Sequence, residues 1–272
     1  MKDKKRLDLL IVEKGCFNSR EKAQRAIMAG LVFVDGQIES KPGTLVKAEA
    51  SIVVKGDIHP YVSRGGLKLE KAIREFGIEV KGKTAIDVGA STGGFTDYLI
   101  QNGAIKVYAI DVGYGQLAWT LRNDSRVIVM ERTNIKDVTS DILSEKVDLV
   151  VIDVSFISLL KVLPSIIKLI NEDGMIIALV KPQFEAGKDK VGKKGVVRDP
   201  LIHAEVLQRI ISGSEDLGLA VDRITYSPIR GPQGNIEFLL LLSKERNQNL
   251  GHLTMNNTII ESIVQEATEH AK

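Results

Sequence analysis

The sequence lacks the features of a secreted or membrane-spanning protein. Among its 272 residues there is one cysteine, Cys16, so no internal disulfide can form, which fits a reducing compartment. No apolar run approaches the ~20 residues that a helix needs to cross a bilayer. The start, MKDKKRLDLLIVEKG, has neither the uninterrupted apolar core nor the cleavage site of a signal peptide. We therefore expect a cytoplasmic protein with no membrane partner.

Phosphate-binding and repeat signatures are also missing. There is no GxxxxGK[ST] motif, which excludes a P-loop, and there are no internal repeats or low-complexity tracts. The sequence offers no metal-ligand motif, and we expect no metal.

The net charge is only +2, but residues 1–58 hold eleven Lys and Arg against eight Asp and Glu. A basic excess in the N-terminal segment suits a polyanionic partner.

The stretch that is present and most informative is Thr84–Phe95, TAIDVGASTGGF. It predicts a buried strand over Thr84–Val88, a glycine-rich turn and a helix that starts near Phe95, so that backbone can approach a ligand closely. A second strand, Lys106–Ile110, ends in Asp111, at the distance where an acidic residue can hold ribose hydroxyls. This spacing suits an adenosine cofactor without pyrophosphate, which is the pattern of S-adenosylmethionine (SAM) enzymes.

The predicted cofactor contacts lie in this turn and at the ends of the following strands. Asn134 can contact an adenine edge or simply cap a loop, and the single tryptophan, Trp119, is interpreted as a packing residue. The predicted set is Asp87, Gly89, Ala90, Ser91, Gly93, Gly94, Phe95, Asp111, Val112 and Asn134.

Four charged residues lie at the ends of apolar strands or helices. A charge in such a position is poorly explained as an ordinary surface charge. Asp153 ends the strand Val147–Val154, and Lys181 follows the strand Gly174–Val180. Glu237 begins the last strand, Ile236–Leu242, and Lys68 lies near the start of the helix Ser63–Phe76. Ligands bind at the carboxyl ends of strands in open α/β sheets, so we expect these four in one crevice.

The first 58 residues predict a separate small module. Helices over Arg6–Lys14 and Arg20–Ala29, with Ser19 as an N-cap, precede short strands that include a turn at Asp35-Gly36. RLDLLIVEKG, NSREKAQRAIMAG and LVFVDGQ together resemble the RNA-binding module of the S-four type. The resemblance implies a basic face for structured RNA, whereas the residues alone also allow a merely solvated helix face.

The proposed RNA contacts extend beyond the module to the next helix and to the long cationic loop Gln183–Asp199, interpreted as a lid or RNA clamp. They are Arg6, Ser19, Arg20, Lys22, Arg25, Lys41, Arg64, Lys188 and Lys193. The predicted organisation is an S-four-type α+β domain (1–58), a linker (59–62), an α/β domain (63–245) and a tail with a helix (246–272).

Lys68, Asp153, Lys181 and Glu237 together resemble the Lys-Asp-Lys-Glu tetrad of FtsJ-type 2′-O-methyltransferases. VSRGGLKL, DVGASTGGFTD, IDVSFISL, VKPQFE and GNIEFLL follow in the order of the TlyA family, whose members are also known as haemolysins. The linker HPYV differs from the Arg-x-Trp-Val of some members. The resemblance implies a Rossmann-like, SAM-dependent enzyme with a mostly parallel, doubly wound sheet. The implied substrate is a cytidine ribose 2′-OH of rRNA, in the large subunit or in both ribosomal subunits.

A ribose hydroxyl is a poor nucleophile, so the enzyme must orient it and help to remove its proton. Lys181 is the hypothesised base, with Lys68 as the neighbouring cation, Asp153 orienting Lys181 and Glu237 orienting Lys68. Three rivals stay open: a cytolysin or haemolysin, a non-catalytic RNA-binding ribosome-assembly factor and a small-molecule methyltransferase. No protein partner is evident from the sequence.

Overall fold

Two compact units make up the chain, Met1–Ser63 and Arg64–Lys272. The structure, a computed structural model, describes residues 4–17, 19–28, 30–55, 59–244 and 256–270. The predicted end of the second helix at Ala29, the residues just before the linker and the first part of the tail lie outside these ranges. Within them, no helix combines the length and the apolar character needed to cross a bilayer.

The first unit packs two helices against short strands. Its elements are β1 (Lys4–Arg6), α1 (Leu7–Glu13), α2 (Arg20–Met28), β2 (Val32–Val34), β3 (Gln37–Ile38), β4 (Leu45–Lys47) and β5 (Ile52–Val54). β1 pairs with β4, and β2 lies between β3 and β5. Leu7, Ile11, Ala23 and Ile27 are buried in its core. The helical spacing of these apolar residues is what the sequence displays.

Two features of this unit test the sequence-based prediction. The Asp35-Gly36 turn is confirmed: both residues have positive φ, 49° and 83°, as a tight hairpin turn requires. The prediction that Arg6 begins the first helix is wrong, because Arg6 ends β1, opposite Leu45. A three-residue strand carries too little alternation to be read from sequence, and its pairing with β4 is decided by tertiary contact.

The second unit alternates strands and helices. Its strands are β6 (Thr84–Val88), β7 (Lys106–Ile110), β8 (Val127–Met130), β9 (Val147–Ile152), β10 (Ile170–Val180), β11 (Ala220–Tyr226) and β12 (Phe238–Ser243). Its helices are α3 (Gly65–Phe76), α4 (Gly94–Gln101), α5 (Trp119–Arg122), α6 (Ser140–Leu143), α7 (Leu163–Leu169), α8 (Pro182–Glu185), α9 (Pro200–Asp216) and α10 (Asn257–His270).

One seven-stranded sheet organises this unit, in the order β11-β12-β10-β9-β6-β7-β8. β6 to β10 pair in parallel, and β12 is antiparallel to β10. The mostly parallel sheet that the sequence predicts is therefore confirmed. The chain winds from β6 to β7 and β8 on one side, then to β9 and β10 on the other. Such a reversal opens a crevice at the carboxyl ends of the two central strands.

Two segments differ from the sequence-based prediction. The sequence over Leu159–Ile170 predicts a helix with a kink or break at Pro164; instead, a 3₁₀ turn, Leu159–Lys161, precedes α7, Pro164 lies in the first turn of α7, and Ile170 begins β10. Proline is tolerated there because a first-turn N–H has no helical partner. The segment Gln183–Asp199 is not wholly a loop, since α8 and a 3₁₀ turn at Lys188–Lys190 occupy part of it.

The C-terminal helix α10 is integral to the second unit. Ile260, Val264 and Ala267 are buried in the same core as the central strands, and α10 packs against α9 and β11. The 3.6-residue spacing of the apolar residues sets which face of the helix is buried.

Candidate active site

Four charged side chains meet at one edge of the sheet because of strand direction. Asp153 directly follows β9, and Lys181 directly follows β10. β12 runs antiparallel to β10, with Phe238 opposite Val180, so Glu237, just before β12, comes to the same edge. The first turn of α3 brings Lys68. The sequence predicts Glu237 at the start of a strand. Because β12 is antiparallel to β10, the start of β12 lies at the same edge of the sheet as the carboxyl ends of β9 and β10.

The four form a continuous ion-pair chain. Nζ of Lys181 lies 2.5 Å from Oδ1 of Asp153, and Nζ of Lys68 lies 3.9 Å from Oδ2 of the same carboxylate. Nζ of Lys68 also donates to Oε2 of Glu237 at 2.6 Å. Glu237 is fully buried, whereas the side chain of Asp153 is 21% exposed. The ion-pair chain therefore begins at the fully buried Glu237 and ends at Asp153 and Lys181, where the carboxylate of Asp153 is partly accessible to solvent.

Two glycines approach the acidic residues of this ion-pair chain closely, one at the carboxylate of Glu237 and one at the backbone of Asp153. A Cβ added to Gly231 would lie 2.6 Å from the carboxyl carbon of Glu237. A Cβ on Gly89 would lie 2.5 Å from the carbonyl oxygen of Asp153, and Gly89 has φ +85°. Only glycine allows this approach with this backbone conformation. The glycine turn after β6 thus packs directly against the backbone of Asp153, one of the four charged residues.

Ser155 is a polar neighbour that sequence reasoning missed. Nζ of Lys181 donates to its Oγ at 3.0 Å. The serine lies two residues beyond Asp153, and its position just after a buried strand was the one available signal. With Asp153 and Ser155 as acceptors, the ammonium of Lys181 is fixed in direction as well as in position.

The predicted ribose-binding carboxylate, Asp111, lies at the end of β7. Its Oδ2 accepts the N–H of Ser91 at 2.7 Å, and its Oδ1 accepts the N–H of Gly113 at 2.6 Å. Ser91 has φ 49°, which is uncommon for a residue with a side chain. Two backbone donors thus orient the carboxylate across the glycine turn, and each oxygen keeps further acceptor capacity.

Asp87 has a structural partner at the start of α4. It is 1% exposed, and its Oδ2 accepts both the N–H and the hydroxyl of Thr96, at 2.9 and 2.7 Å. Burial raises the pKa of this carboxyl to about 7. The hydrogen bonds from Thr96 act in the opposite direction, and the nearby carboxylates of Asp153 and Asp111 raise the pKa further. Asp87 fixes the start of α4 beside the proposed cofactor site.

The remaining predicted cofactor residues are distributed around the same edge. Asn134 accepts the N–H of Lys136 at 3.1 Å and caps a 3₁₀ turn, as the alternative interpretation held. The interpretation of Trp119 as a packing residue is wrong, because it is 75% exposed. Its helix begins at Trp119 itself and turns the ring outward. Val112 and Tyr114 are also strongly exposed, which leaves apolar surface beside Asp111.

In the second unit, the predicted RNA-contacting side chains are exposed. Arg64 precedes α3, and Lys188 and Lys193 lie between α8 and α9. A cleft of about 440 Å³ there is lined by four cationic side chains, Lys190, Lys193, Lys194 and Arg198. Asn235, two residues before Glu237, accepts the N–H of Val197 at 3.1 Å and so ties this segment to the tetrad.

In the first unit, Arg6 and Arg20 come together through a residue that the sequence did not single out, Asp8. The buried Asp8 accepts hydrogen bonds from both guanidiniums. Ser19 accepts the N–H of Lys22 at 3.3 Å, which confirms it as an N-cap. Lys22, Arg25 and Lys41 are exposed on the same unit.

Comparison with known proteins agrees with this geometry. Residues 61–244 match the profile of the FtsJ-like methyltransferases. The chain belongs to the FtsJ-like methyltransferase family. Residues 5–52 match the S4 domain, so the small first unit has a family of its own. Among the described residues of this FtsJ-like methyltransferase, no group of three or more His, Cys, Asp or Glu side chains is arranged to hold a metal ion.

Relatives of this FtsJ-like methyltransferase match nearly its full length. It is 54% identical over 240 residues to the candidate rRNA methyltransferase YqxC of Bacillus subtilis, covering 88% of this chain and 85% of YqxC. It is 43% identical to the 16S/23S rRNA (cytidine-2'-O)-methyltransferase TlyA of Mycobacterium tuberculosis, covering 95% and 97% of the two chains. A solved structure from Streptococcus thermophilus, described as a candidate haemolysin, is 42% identical, with a TM-score of 0.74 and coverage of 99% and 98%.

Proposed function

We propose that this protein transfers a methyl group from SAM to a ribose 2′-hydroxyl of rRNA, with cytidine as the target nucleoside. The ion-pair chain Lys181–Asp153–Lys68–Glu237 at the carboxyl edge of the sheet carries the proposal. The names of YqxC and TlyA, which match most of the chain, support rRNA as the substrate. The S4 domain over residues 5–52 supports an RNA rather than a small molecule.

The residues at the switch of the sheet fit SAM. The oriented carboxylate of Asp111 suits the two hydroxyls of the ribose, and the exposed Val112 and Tyr114 beside it suit the adenine ring. The turn Gly89–Phe95 allows backbone to approach the remainder of the cofactor. SAM supplies an electrophilic methyl group on a sulfonium, which leaves as a neutral thioether.

Lys181 is the proposed base for the 2′-hydroxyl. In its neutral form, Nζ accepts the hydroxyl proton while the 2′ oxygen takes the methyl group. Asp153 and Ser155 fix the direction of Nζ, at 2.5 and 3.0 Å. Lys68, held by Glu237, offsets the negative charge of Asp153 from the side away from Lys181. Orientation of this kind supplies much of the rate of a bimolecular transfer.

The experiment that tests the function compares Lys181→Met with Lys168→Met. Lys168 is exposed on α7, so the control makes the same chemical change away from the tetrad. Each purified protein is incubated with methyl-labelled SAM and with small or large ribosomal subunits from a strain that lacks the gene. We expect label at a ribose 2′-O for the wild type and for Lys168→Met, and a loss of about 10²-fold or more for Lys181→Met.

Binding of SAM, followed by calorimetry, separates the roles. Normal SAM affinity in Lys181→Met places the loss in the chemical step, whereas lost affinity makes Lys181 a structural residue and contradicts its role as base. If the wild type binds SAM but labels neither subunit nor free rRNA, the methyltransferase proposal fails in favour of an RNA-binding factor.

A further inference from the structure

Asp8 lies at the centre of the small first unit and is fully buried. Four hydrogen bonds reach its carboxylate: Nε of Arg6 donates to Oδ1 at 3.0 Å, and Nη2 of Arg6 donates to Oδ2 at 3.0 Å. Nε of Arg20 and Nε2 of Gln24 donate to Oδ2 at 2.9 and 2.8 Å. Asp8 itself is 0% exposed. A buried carboxylate with this many donors is fixed in one position.

The two arginines, by contrast, remain half open to solvent. The side chain of Arg6 is 43% exposed and that of Arg20 is 51% exposed. Asp8 takes two of the five N–H groups of Arg6 and one of those of Arg20. The other edges of both guanidiniums are left for a partner outside this cluster.

The loop that carries Lys41 completes the arrangement. The N–H of Asp8 donates to the carbonyl oxygen of Pro42 at 3.1 Å. A Cβ on Gly43 would lie 3.4 Å from Nη1 of Arg6. The carboxylate of Asp8 therefore fixes the guanidinium of Arg6, while the backbone N–H at the same position, which any non-proline residue supplies, fixes the loop next to Lys41.

A buried acid beneath two exposed arginines weakens the attraction of this surface for a polyanion. Its presence therefore calls for a compensating role. The acid cancels positive charge, so it lowers non-specific attraction to RNA. The hydrogen bonds from Arg6 hold the pKa of Asp8 well below its usual range, with smaller contributions from Gln24 and Arg20. The carboxylate thus stays charged throughout the neutral range. In compensation, the carboxylate of Asp8 holds the planar guanidinium groups of Arg6 and Arg20 at a fixed angle. Guanidinium groups bind phosphate oxygens through paired N–H donors.

We propose that Asp8 is a positioning residue for RNA: it orients Arg6 and Arg20 so that both bind phosphates of a structured RNA at a fixed spacing. The inference rests on the proposed role of this unit in RNA binding. A-form RNA is recognised largely by backbone and shape, so a rigid pair of phosphate-binding groups selects structured over single-stranded RNA.

The test uses the full chain and measures filter binding to two probes, refolded deproteinised total rRNA and poly(U), across a series of KCl concentrations. Asp8→Asn is compared with Glu21→Gln, which removes an exposed acid from the first turn of α2. On electrostatics alone, both variants should bind RNA more tightly. Positioning predicts that Asp8→Asn binds folded rRNA about tenfold or more weakly, while poly(U) binding changes little. The salt slope should fall by roughly 0.7–0.9 for each phosphate that the variant no longer binds.

A double-mutant cycle separates positioning from a general role in folding. In a background of Arg6→Ala and Arg20→Ala, Asp8→Asn should cause no further loss, because the arginines through which it acts are absent. An equal loss in both backgrounds makes Asp8 merely structural and overturns the inference. So does an Asp8→Asn protein that binds folded rRNA as tightly as the wild type.

Arg6→Lys tests positioning without altering Asp8, and it preserves the charge of the arginine. Lysine cannot make the two-pronged bond, so we expect binding as weak as that of Arg6→Ala; wild-type binding contradicts positioning. If the double alanine variant itself binds rRNA normally, the RNA role of this face and the inference both fail. If it binds weakly while Asp8→Asn does not, only the inference fails.

Discussion

Among single residues, Asp87 shows how the turn beside the proposed SAM site makes stability depend on pH. Its carboxyl is buried, and burial raises its pKa to about 7 from the ordinary value of 3.8. Between these values the folded protein holds a proton that the unfolded chain has lost, so folding takes up a proton. The contribution of Asp87 to stability is therefore complete below about pH 4 and is lost as the pH rises to 7.

Asp87→Asn should remove this dependence. The amide oxygen can still accept from Thr96, so the variant mimics the protonated acid. We expect the free energy of unfolding of the wild type, relative to the variant, to fall between pH 5 and pH 8 by about 3 kcal/mol. Urea unfolding followed by circular dichroism at the two pH values measures it. A constant difference between the proteins would show that Asp87 is ionised throughout.

Among single residues, the sequence singled out the four charged residues of the tetrad but not Ser155 or Asp8, which orient lysine and arginine side chains. Lys68, Asp153, Lys181 and Glu237 stand out because a charge beside an apolar strand is unusual. Ser155 and Asp8 give no such signal, because a serine after a strand and an acid in a short helix are ordinary in sequence. Their roles follow from partners 26 and 12 residues away.

At the scale of the element, the turn after β6 is where two parts of the site meet. Gly89 and Gly77 both have positive φ, +85° and +69°, so an alanine is strained at either position. Only at Gly89 would the new Cβ also strike the backbone of Asp153, whereas nothing lies within 4 Å at Gly77. Comparing the two positions separates strain from collision.

Gly89→Ala should therefore lose more than Gly77→Ala. Strain alone costs about 1 kcal/mol in both variants. At Gly89 the turn must also shift relative to β9, so we expect SAM affinity and methyl transfer to fall by about tenfold or more, with both near normal in Gly77→Ala. Calorimetric titration with SAM and the labelling assay check this. Equal SAM affinities in the two variants would contradict a tight contact between turn and strand.

Long periodic elements were predictable, and short ones were not. The strands β6, β7 and β9 and the helix α3 have apolar patterns long enough to be read, and their predicted bounds are nearly those observed. β1 and β4, with three residues each, have no readable period. Their formation depends on pairing with each other across about 40 residues of chain.

At the scale of the whole molecule, the core of the second unit extends beyond the FtsJ-like match, which ends at residue 244. Ile260 on α10 is 3% exposed and belongs to the same core as the central strands. Filling this part of the core is the physical role of the C-terminal helix.

Ile260→Ala should destabilise the second unit by about 2–5 kcal/mol, through lost apolar burial and the cavity left behind. Gln265→Ala, on the exposed side of α10, should stay within about 0.5 kcal/mol of the wild type. Thermal unfolding of the two variants measures the difference. A loss in Ile260→Ala no larger than that in Gln265→Ala would mean that α10 contributes little to the core.

The mostly parallel sheet, the glycine turn with Asp87 and Asp111, the basic first unit and the four charges of the tetrad can all be read from the sequence alone. These are local patterns of apolar spacing, glycine and charge, and each is legible within about twenty residues. How distant residues come into contact follows from the fold. The antiparallel return of β12 delivers Glu237 to Lys68, a partner 169 residues away, and packing alone places Asp8 beneath two arginines. Such contacts depend on the order and direction of the strands, which the spacing of residues along the sequence does not predict.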